Sequence, residues 1–452
     1  MADILDTARR IHFVGIGGSG IIPVAEIMHA LGKSVSGSDG MESDNVNRLH
    51  ALGIPIVMNH SAGNITPDID LVVYTAAVSP DNPELLEAAR LGTPVMERGE
   101  AVGILTGRYP RGVAVAGTHG KTTSTAMLSQ ILLEAGIDPS VYIGGRLPLI
   151  NANGRAGQSD LMVFEACEWQ DHYLEMSYTA ALILNVDADH LDYFGDLDGV
   201  IASFRKFAAR AETVIVNGDD VNSLKAVEGL DAPLIAFGLS ESNDWSARNI
   251  IYMNGSYGVF DLYHDGIFFN RIEMGVPGAH NISNALGVAA AAHLCGADAG
   301  QIAAGIKHFR GAGRRFEFLG EKRGVTVIDD YAHHPTEIAA TLKAAKAMNF
   351  GRVWAVFQPF TFSRTARHLG EFAEALSLAD MAIVSDIMGS REVNTYGVHA
   401  KQITDQMPNG QYIAAFPEIT DYICANTRED DLILTMGGGN VYQCARMILE
   451  RL

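Results

Sequence analysis

The chain of 452 residues predicts an α/β protein of three domains, each built on a mainly parallel sheet, with breaks near residues 105 and 312. Three observations carry that expectation. Short apolar runs alternate with stretches of helical period along the whole chain, as in successive βα units. Most of those runs end in a polar or glycine-rich cluster, as strands do when their carboxyl ends face a ligand. Two of the clusters are glycine-rich strand-to-helix turns, GIGGSG at 15–20 and GTHGKTT at 117–123. No short sequence period relates the units, so this is not a repeat array.

Composition limits the function. An apolar content of 48% is ample for several cores, and a net charge of −20 argues against non-specific nucleic-acid binding. The four cysteines (Cys167, Cys295, Cys424, Cys444) lie far apart with no C-x-x-C pair, which suits reduced thiols and indicates neither a disulfide framework nor a zinc site. The start, MADILDTARR, lacks a signal-peptide core, and no apolar run reaches the roughly 18 residues of a membrane span. The expected location is the cytoplasm, with neither a membrane nor nucleic acid as partner.

In the first domain, residues 1–105, a strand at 11–14 enters GIGGSG and then a helix with Val24, Ile27, Met28 and Leu31 on its inner side. A second strand at 35–38 ends at Asp39, nineteen residues after Gly20. This is a Rossmann-like fingerprint. Gly17, Gly18, Ser19 and Gly20 would cradle a diphosphate at the helix N-terminus, and Asp39 would accept a ribose hydroxyl. Further strands at 71–74 and 93–96 bring Thr75 and Arg98 to the same edge. The motif suits NAD and equally any nucleoside diphosphate.

The central domain, residues 106–312, turns on its phosphate loop. A strand at 113–116 runs into Gly117, Thr118, His119, Gly120, Lys121, Thr122 and Thr123, then into a helix burying Ala126, Met127, Leu128, Ile131 and Leu132. Small residues let backbone amides close on phosphate oxygens, Lys121 neutralises the terminal phosphates, and the Thr122 hydroxyl can ligate Mg²⁺. The loop is a shortened P-loop, with Val115 where the longer pattern has glycine. Strands at 161–164, 181–184 and 214–216 should deliver Glu165, His190 and Asn217 to the same crevice. Glu165 and His190 are candidate magnesium ligands; helix capping by Glu165 and a hydrogen-bonded loop role for His190 are the alternatives. Two turns, Asn254-Gly255 and Asp265-Gly266, read as hairpins within 252–269. Asn281 and Asn284, one turn apart at the start of the next helix, could bond an adenine edge beside His280, or serve as caps.

The third domain, residues 313–452, is again Rossmann-like, with strands at 325–328, 353–357, 381–384 and 432–435. Their ends carry DDYAHHP (329–335), QPFTFSR (358–364), Ser385-Asp386 and three glycines (437–439). Arg364 and Arg367 are three residues apart, so a helical turn would point both one way, as a phosphate or carboxylate clamp or as solvated surface charges. A diphosphate site, an ATP–Mg²⁺ site and a basic, histidine-bearing third unit together suggest a ligase that activates a carboxylate with ATP. A nicotinamide-dependent oxidoreductase would use residues 15–39 and leave Lys121 idle. A P-loop switch would do the reverse.

These residues resemble the Mur ligases of peptidoglycan synthesis. The shared motifs are GIGGSG, SGSD (36–39), SPDNPEL (79–85), ERGE (97–100), GTHGKTT, EACE (165–168), DADHLDYF (187–194), HNISNA (280–285), RRFE (314–317), DDYAHHPTEI (329–338) and FQPFTFSRT (357–365). Within the family, DDYAHHP followed by FQPFTFSRT is similar to the member that adds L-alanine, against a recycling ligase that adds a ready-made peptide. The resemblance implies that the first domain holds the UDP part of UDP-N-acetylmuramate, the second ATP with Mg²⁺ (Mn²⁺ as substitute), and that the third closes and helps bind L-alanine. It implies an acyl phosphate on the lactyl carboxylate, metal on Thr122, Glu165 and His190, ATP on Asn281, Asn284, Arg314 and Asp330, and His333, Arg364 and Arg367 around the alanine and the transferred phosphate. The implied assembly is a monomer or weak homodimer. Sister ligases carry a carbamylated lysine where this chain has Phe204, so no carbamate is expected. The family often has histidine at Phe360 and a GAGD-like end at residues 437–440.

Overall fold

The structure, a computed structural model, describes residues 4–390 and 392–452. Its first sheet contains β1 (Arg10–Val14), β2 (Ser34–Ser38), β3 (Ile56–Val57), β4 (Leu71–Tyr74) and β5 (Val95–Glu97) in the order β3-β2-β1-β4-β5, all parallel. Strand order reverses beside β1, so the loop after β1 opens at a topological switch point. Helix Ile22–Ala30 follows that loop and buries Val24, Ile27 and Met28. Leu31 departs from expectation: it is the helix C-cap, beyond the last turn, and is 46% exposed.

The second sheet contains β6 (Arg111–Ala116), β7 (Ser140–Leu147), β8 (Ala152–Arg155), β9 (Leu161–Glu165), β10 (Ala180–Ile183), β11 (Thr213–Asn217), β12 (Leu234–Gly238), β13 (Trp245–Met253), β14 (Tyr257–His264) and β15 (Ile267–Glu273). Its central run is β12-β11-β10-β6-β9-β7-β8, with β6 between β10 and β9. The phosphate loop therefore leaves the sheet between the Glu165 end of β9 and the Asn185 loop after β10. Helix Lys121–Glu134 buries Ala126, Met127, Leu128, Ile131 and Leu132 completely. At the expected hairpins, Asn254, Gly255, Asp265 and Gly266 all take positive φ, the backbone of a tight two-residue turn.

The third sheet holds β16 (Glu317–Lys322), β17 (Val325–Asp330), β18 (Arg352–Phe357), β19 (Met381–Val384), β20 (Gly410–Tyr412) and β21 (Asp431–Met436) in the order β16-β17-β21-β18-β19-β20. Only β16 runs antiparallel to its neighbour.

The chain forms two compact units. One comprises residues through Arg248 with 261–270 and 283–306; the other comprises 249–260, 271–282 and 307–452. Within the first, helix Ile22–Ala30 is bonded to the β7–β8 hairpin. Glu26, 4% exposed, accepts from the N–H groups of Asn153 (2.9 Å) and Gly154 (2.7 Å) and from Arg48 Nη2 (3.0 Å). Arg48 Nη2 also donates to Asn153 Oδ1 (2.6 Å). Burial raises the Glu26 pKa despite the guanidinium beside it, so this tie is costly to keep charged and depends on its full set of donors.

Candidate active site

The phosphate loop is fixed from two sides. Gly117 (φ +147°) and Gly120 (φ +83°) take backbone that side chains rarely adopt, and a Cβ on Gly117 would lie 2.9 Å from Leu184 Cβ. The Asn185 side chain accepts from His119 N–H (2.8 Å) and donates to the His119 carbonyl (3.0 Å), while Asp187 N–H donates to Thr118 Oγ1 (2.9 Å). On the other side, Thr122 Oγ1 donates to Glu165 Oε2 (2.9 Å), which also accepts from Gly144 N–H (2.8 Å). The amide of Asn284 lies over Gly120, 3.1 Å from where a Cβ would stand. Thr123 begins the helix beside Thr122.

Lys121 Nζ donates to the carbonyls of Gly117 (2.6 Å) and Thr118 (3.0 Å) and to Glu168 Oε1 (3.0 Å). Burial alone would lower its pKa, but Glu168 foremost, with Cys167 and Glu165, outweighs burial and raises it. The ammonium is thus charged and held at the loop. Thr122 and Glu165 supply hard oxygen donors of the kind that suit Mg²⁺. Among the described residues no group of three or more His, Cys, Asp or Glu converges as a metal cage. His190, the other candidate ligand, is the N-cap of the helical turn Leu191–Phe194. Its backbone is left-handed (φ +52°), its N–H donates to Asp189 Oδ1 (2.7 Å), and its ring meets Trp169 edge-on at 4.8 Å. Phe204 is fully buried, edge-on to Tyr173.

At the first glycine loop, Gly18 and Ser19 are exposed. Asp39, expected to meet a ribose, accepts from Gly17 N–H (2.9 Å) and Met41 N–H (3.1 Å), so its carboxylate first holds the loop itself. Asn45 donates to the Gly17 carbonyl (2.8 Å). Thr75 packs its methyl 2.8 Å from where a Gly15 Cβ would stand. Arg98 lies over Gly20 in the same way, 3.3 Å at its Cδ.

In the other compact unit, Asp330, His333, Phe360 and Gly438 belong to one sheet edge. Arg314 and Arg315 divide the work. Arg314, left-handed at φ +59°, spends its guanidinium on Asp329 (2.8 Å) and the carbonyls of Gly437 (2.7 Å) and Gly439 (2.8 Å), between the rings of Tyr331 and Tyr442. These three bonds, one from each guanidinium nitrogen, staple Arg314 to the ends of β17 and β21 and leave the second N–H of Nη1 and of Nη2. Arg315 instead stands over Tyr331 and exerts its charge on Asp330 and His333. The sequence assigns Arg315 no role of its own, because nothing in two adjacent arginines says which one bonds the backbone and which one keeps its charge near Asp330 and His333.

Asp330 accepts from Phe316 N–H and Ala332 N–H (both 2.7 Å), and burial pushes its carboxyl up to about 6 against the pull of Arg315. His333 is pushed down to about 4, by burial first and by Arg364, over the opposing Glu337. Its Nδ1 lies 3.0 Å from the Tyr331 carbonyl, so Nδ1 carries the hydrogen and Nε2 keeps a lone pair. Arg364 is half-buried in the turn Phe362–Arg367, whereas Arg367 is exposed. Asn281 Nδ2 donates to the Pro277 carbonyl (2.7 Å), closing the turn that opens its helix, and the exposed His280 folds back over Gly278.

The chain matches the Mur ligase family in three segments: the Mur ligase family catalytic domain at 10–110, the Mur ligase middle domain at 115–292, and the Mur ligase glutamate ligase domain at 314–439. It is 42% identical over 453 residues to the UDP-N-acetylmuramate–L-alanine ligase of Caldanaerobacter subterraneus subsp. tengcongensis, covering 99% of this chain and 98% of the relative. Among solved structures, the UDP-N-acetylmuramate–alanine ligase of Thermotoga maritima superposes with a TM-score of 0.85 at 30% identity, over 98% of each chain. A murein peptide ligase from Psychrobacter arcticus gives 0.77 at 25% identity, also over 98% of each. The chain belongs to the Mur ligase family, within its UDP-N-acetylmuramate–L-alanine ligase branch.

Proposed function

We propose that this protein joins L-alanine to the lactyl carboxylate of UDP-N-acetylmuramate at the expense of ATP, releasing ADP and phosphate, as a step in making peptidoglycan precursor. The observation that carries the reading is a phosphate loop with Lys121 and the Thr122–Glu165 pair in the same compact unit as a second, diphosphate-type glycine loop. In this reading residues 1–105 hold the UDP-sugar, 106–312 hold ATP, and 313–452 serve the amino acid. The setting is the cytoplasm, with the chain a monomer or weak homodimer.

The lactyl carboxylate attacks the γ-phosphorus and ADP leaves; the alanine amine then attacks the acyl carbon, loses its proton, and expels phosphate. Lys121 leaves its loop carbonyls for the phosphates and offsets charge as it spreads over the transferring group. Thr122 and Glu165, with His190 as a further candidate, would hold Mg²⁺, which would supply charge neutralisation for the phosphates. Asn284 borders the nucleotide at Gly120, with Asn281 and Asp330 as further nucleotide-binding candidates. Arg315 and Arg364 supply positive charge beside His333, whose Nε2 can accept a hydrogen bond from the amine.

The test is phosphate release with ATP, Mg²⁺ and UDP-N-acetylmuramate, supplying L-alanine, glycine, L-serine or a tripeptide in turn. Turnover should be strongest with L-alanine and fall on the order of a hundredfold or more in Lys121→Ala. Turnover with the tripeptide alone would make this a recycling ligase, and hydrolysis indifferent to the UDP-sugar would sink the ligase reading.

A further inference from the structure

Arg98 is half-buried over Gly20, and its hydrogen-bond partners are uncharged. Its Nη1 donates to Tyr142 Oη (3.3 Å) and its Nη2 to His172 Nδ1 (3.0 Å). The Tyr142 hydroxyl then donates to the Gly20 carbonyl (2.8 Å), the last residue of the first loop. Among the described residues Arg98 makes no ion pair; the adjacent Glu97 turns its carboxylate to cap Gly99 N–H (2.6 Å). A half-buried guanidinium whose hydrogen bonds go to neutral groups keeps N–H donors for an anion.

Both partners lie on segments that are bonded to the phosphate-loop site through neighbouring residues. Tyr142 lies on β7, two residues before Gly144, whose N–H holds the Glu165 carboxylate bonded to Thr122. His172 follows Glu168, the partner of Lys121, across two consecutive left-handed residues, Gln170 (φ +53°) and Asp171 (φ +60°). Two adjacent non-glycine residues in that region cost energy and persist only when the surroundings impose them. Here Ser203 and Tyr193 bond the Asp171 carboxylate, and Asp171 N–H bonds the Glu168 carbonyl (2.9 Å). The strained turn faces His172 back toward Arg98.

We propose that Tyr142 and His172 are positioning residues for the UDP-sugar, aiming the guanidinium of Arg98 over Gly20 at the substrate's diphosphate. This rests on the assignment of the first glycine loop to UDP. His172 must accept at Nδ1, so the acting form is the neutral imidazole with its hydrogen on Nε2. Burial and then Arg98 favour that form, while Glu97, Glu175 and Asp171 pull the other way. Protonation removes the acceptor and sets a second cation against Arg98.

The experiment measures UDP and ATP binding to the full chain by calorimetry, from pH 5 to 8, for wild type, Tyr142→Phe, His172→Ala and His172→Asn, and kcat and KM for both substrates. Tyr142→Phe and His172→Ala should each weaken UDP binding about tenfold and leave ATP binding within about twofold. His172→Asn, which keeps a neutral acceptor, should recover much of the loss and abolish the fall in wild-type UDP affinity at acid pH. UDP affinity unchanged in both Tyr142→Phe and His172→Ala would overturn the proposal, as would ATP affinity falling in step. Wild type that binds ATP but not UDP at any pH would overturn the assignment of the loop as well.

Discussion

Glu84 shows how much one side chain can hold together. It is fully buried and accepts from Ser38 Oγ (2.7 Å), His60 Nδ1 (2.8 Å) and Asn64 Nδ2 (2.6 Å), with His12 Nε2 3.5 Å away. Burial favours its neutral form, but these donors, His12 first, overcome it and bring the carboxyl down to about 2. The folded pKa is depressed, so the stabilisation is complete above the unfolded glutamate value near ~4.3 and is lost as pH falls toward 2. Glu84→Gln should therefore cost about 3 kcal/mol at pH 7, and urea midpoints of the two proteins should converge by about pH 2. A constant gap over that range would mean that shape rather than charge holds the site. Residue roles were only partly legible from sequence. Lys121, Thr122 and Glu165 follow from loop chemistry, and the structure bonds Thr122 directly to Glu165. The fixing of the Gly17 loop by Asp39 and the division of labour between Arg314 and Arg315 depend on left-handed backbone and on distant partners that no local pattern encodes.

At the scale of elements, strands that were continuous apolar runs were legible because parallel strands are buried on both faces. The β7–β8 hairpin was not. Its turn-type dipeptides, Gly144-Gly145 and Asn153-Gly154, lie inside the strands and answer to tertiary neighbours: a Cβ on Gly154 would collide with the Pro23 carbonyl of helix Ile22–Ala30. The turns at Asn254-Gly255 and Asp265-Gly266 were legible because their requirement for positive φ is local. Gly154→Ala should push the hairpin off the helix and destabilise the protein by about 1–3 kcal/mol in urea unfolding. An unchanged midpoint would show that the hairpin can shift freely, and that the Glu26 bonds do not fix its position.

At the scale of the whole molecule, all four cysteines are free thiols. Burial, the largest influence on each, raises Cys167 and Cys295 to about 11 and Cys444 to about 12, and also raises Cys424. Iodoacetamide at pH 8 should thus modify Cys167, Cys295 and Cys444 on the order of a hundredfold more slowly in the folded chain than in urea. Rapid native labelling at Cys167, followed by peptide mass mapping, would mean that the region beside Lys121 opens readily. The Glu26–Arg48–Asn153 tie has a pharmacological consequence. Because it bonds the helix after the first glycine loop to the hairpin that carries Tyr142 and Gly144, a uridine mimic tethered to an adenosine mimic would, under the proposed assignment of the two loops, meet two preorganised sites. Once one half is seated, the other acts at a local concentration set by the tether, and a linker of matched length would gain about 10²–10⁴ in avidity without any new contact.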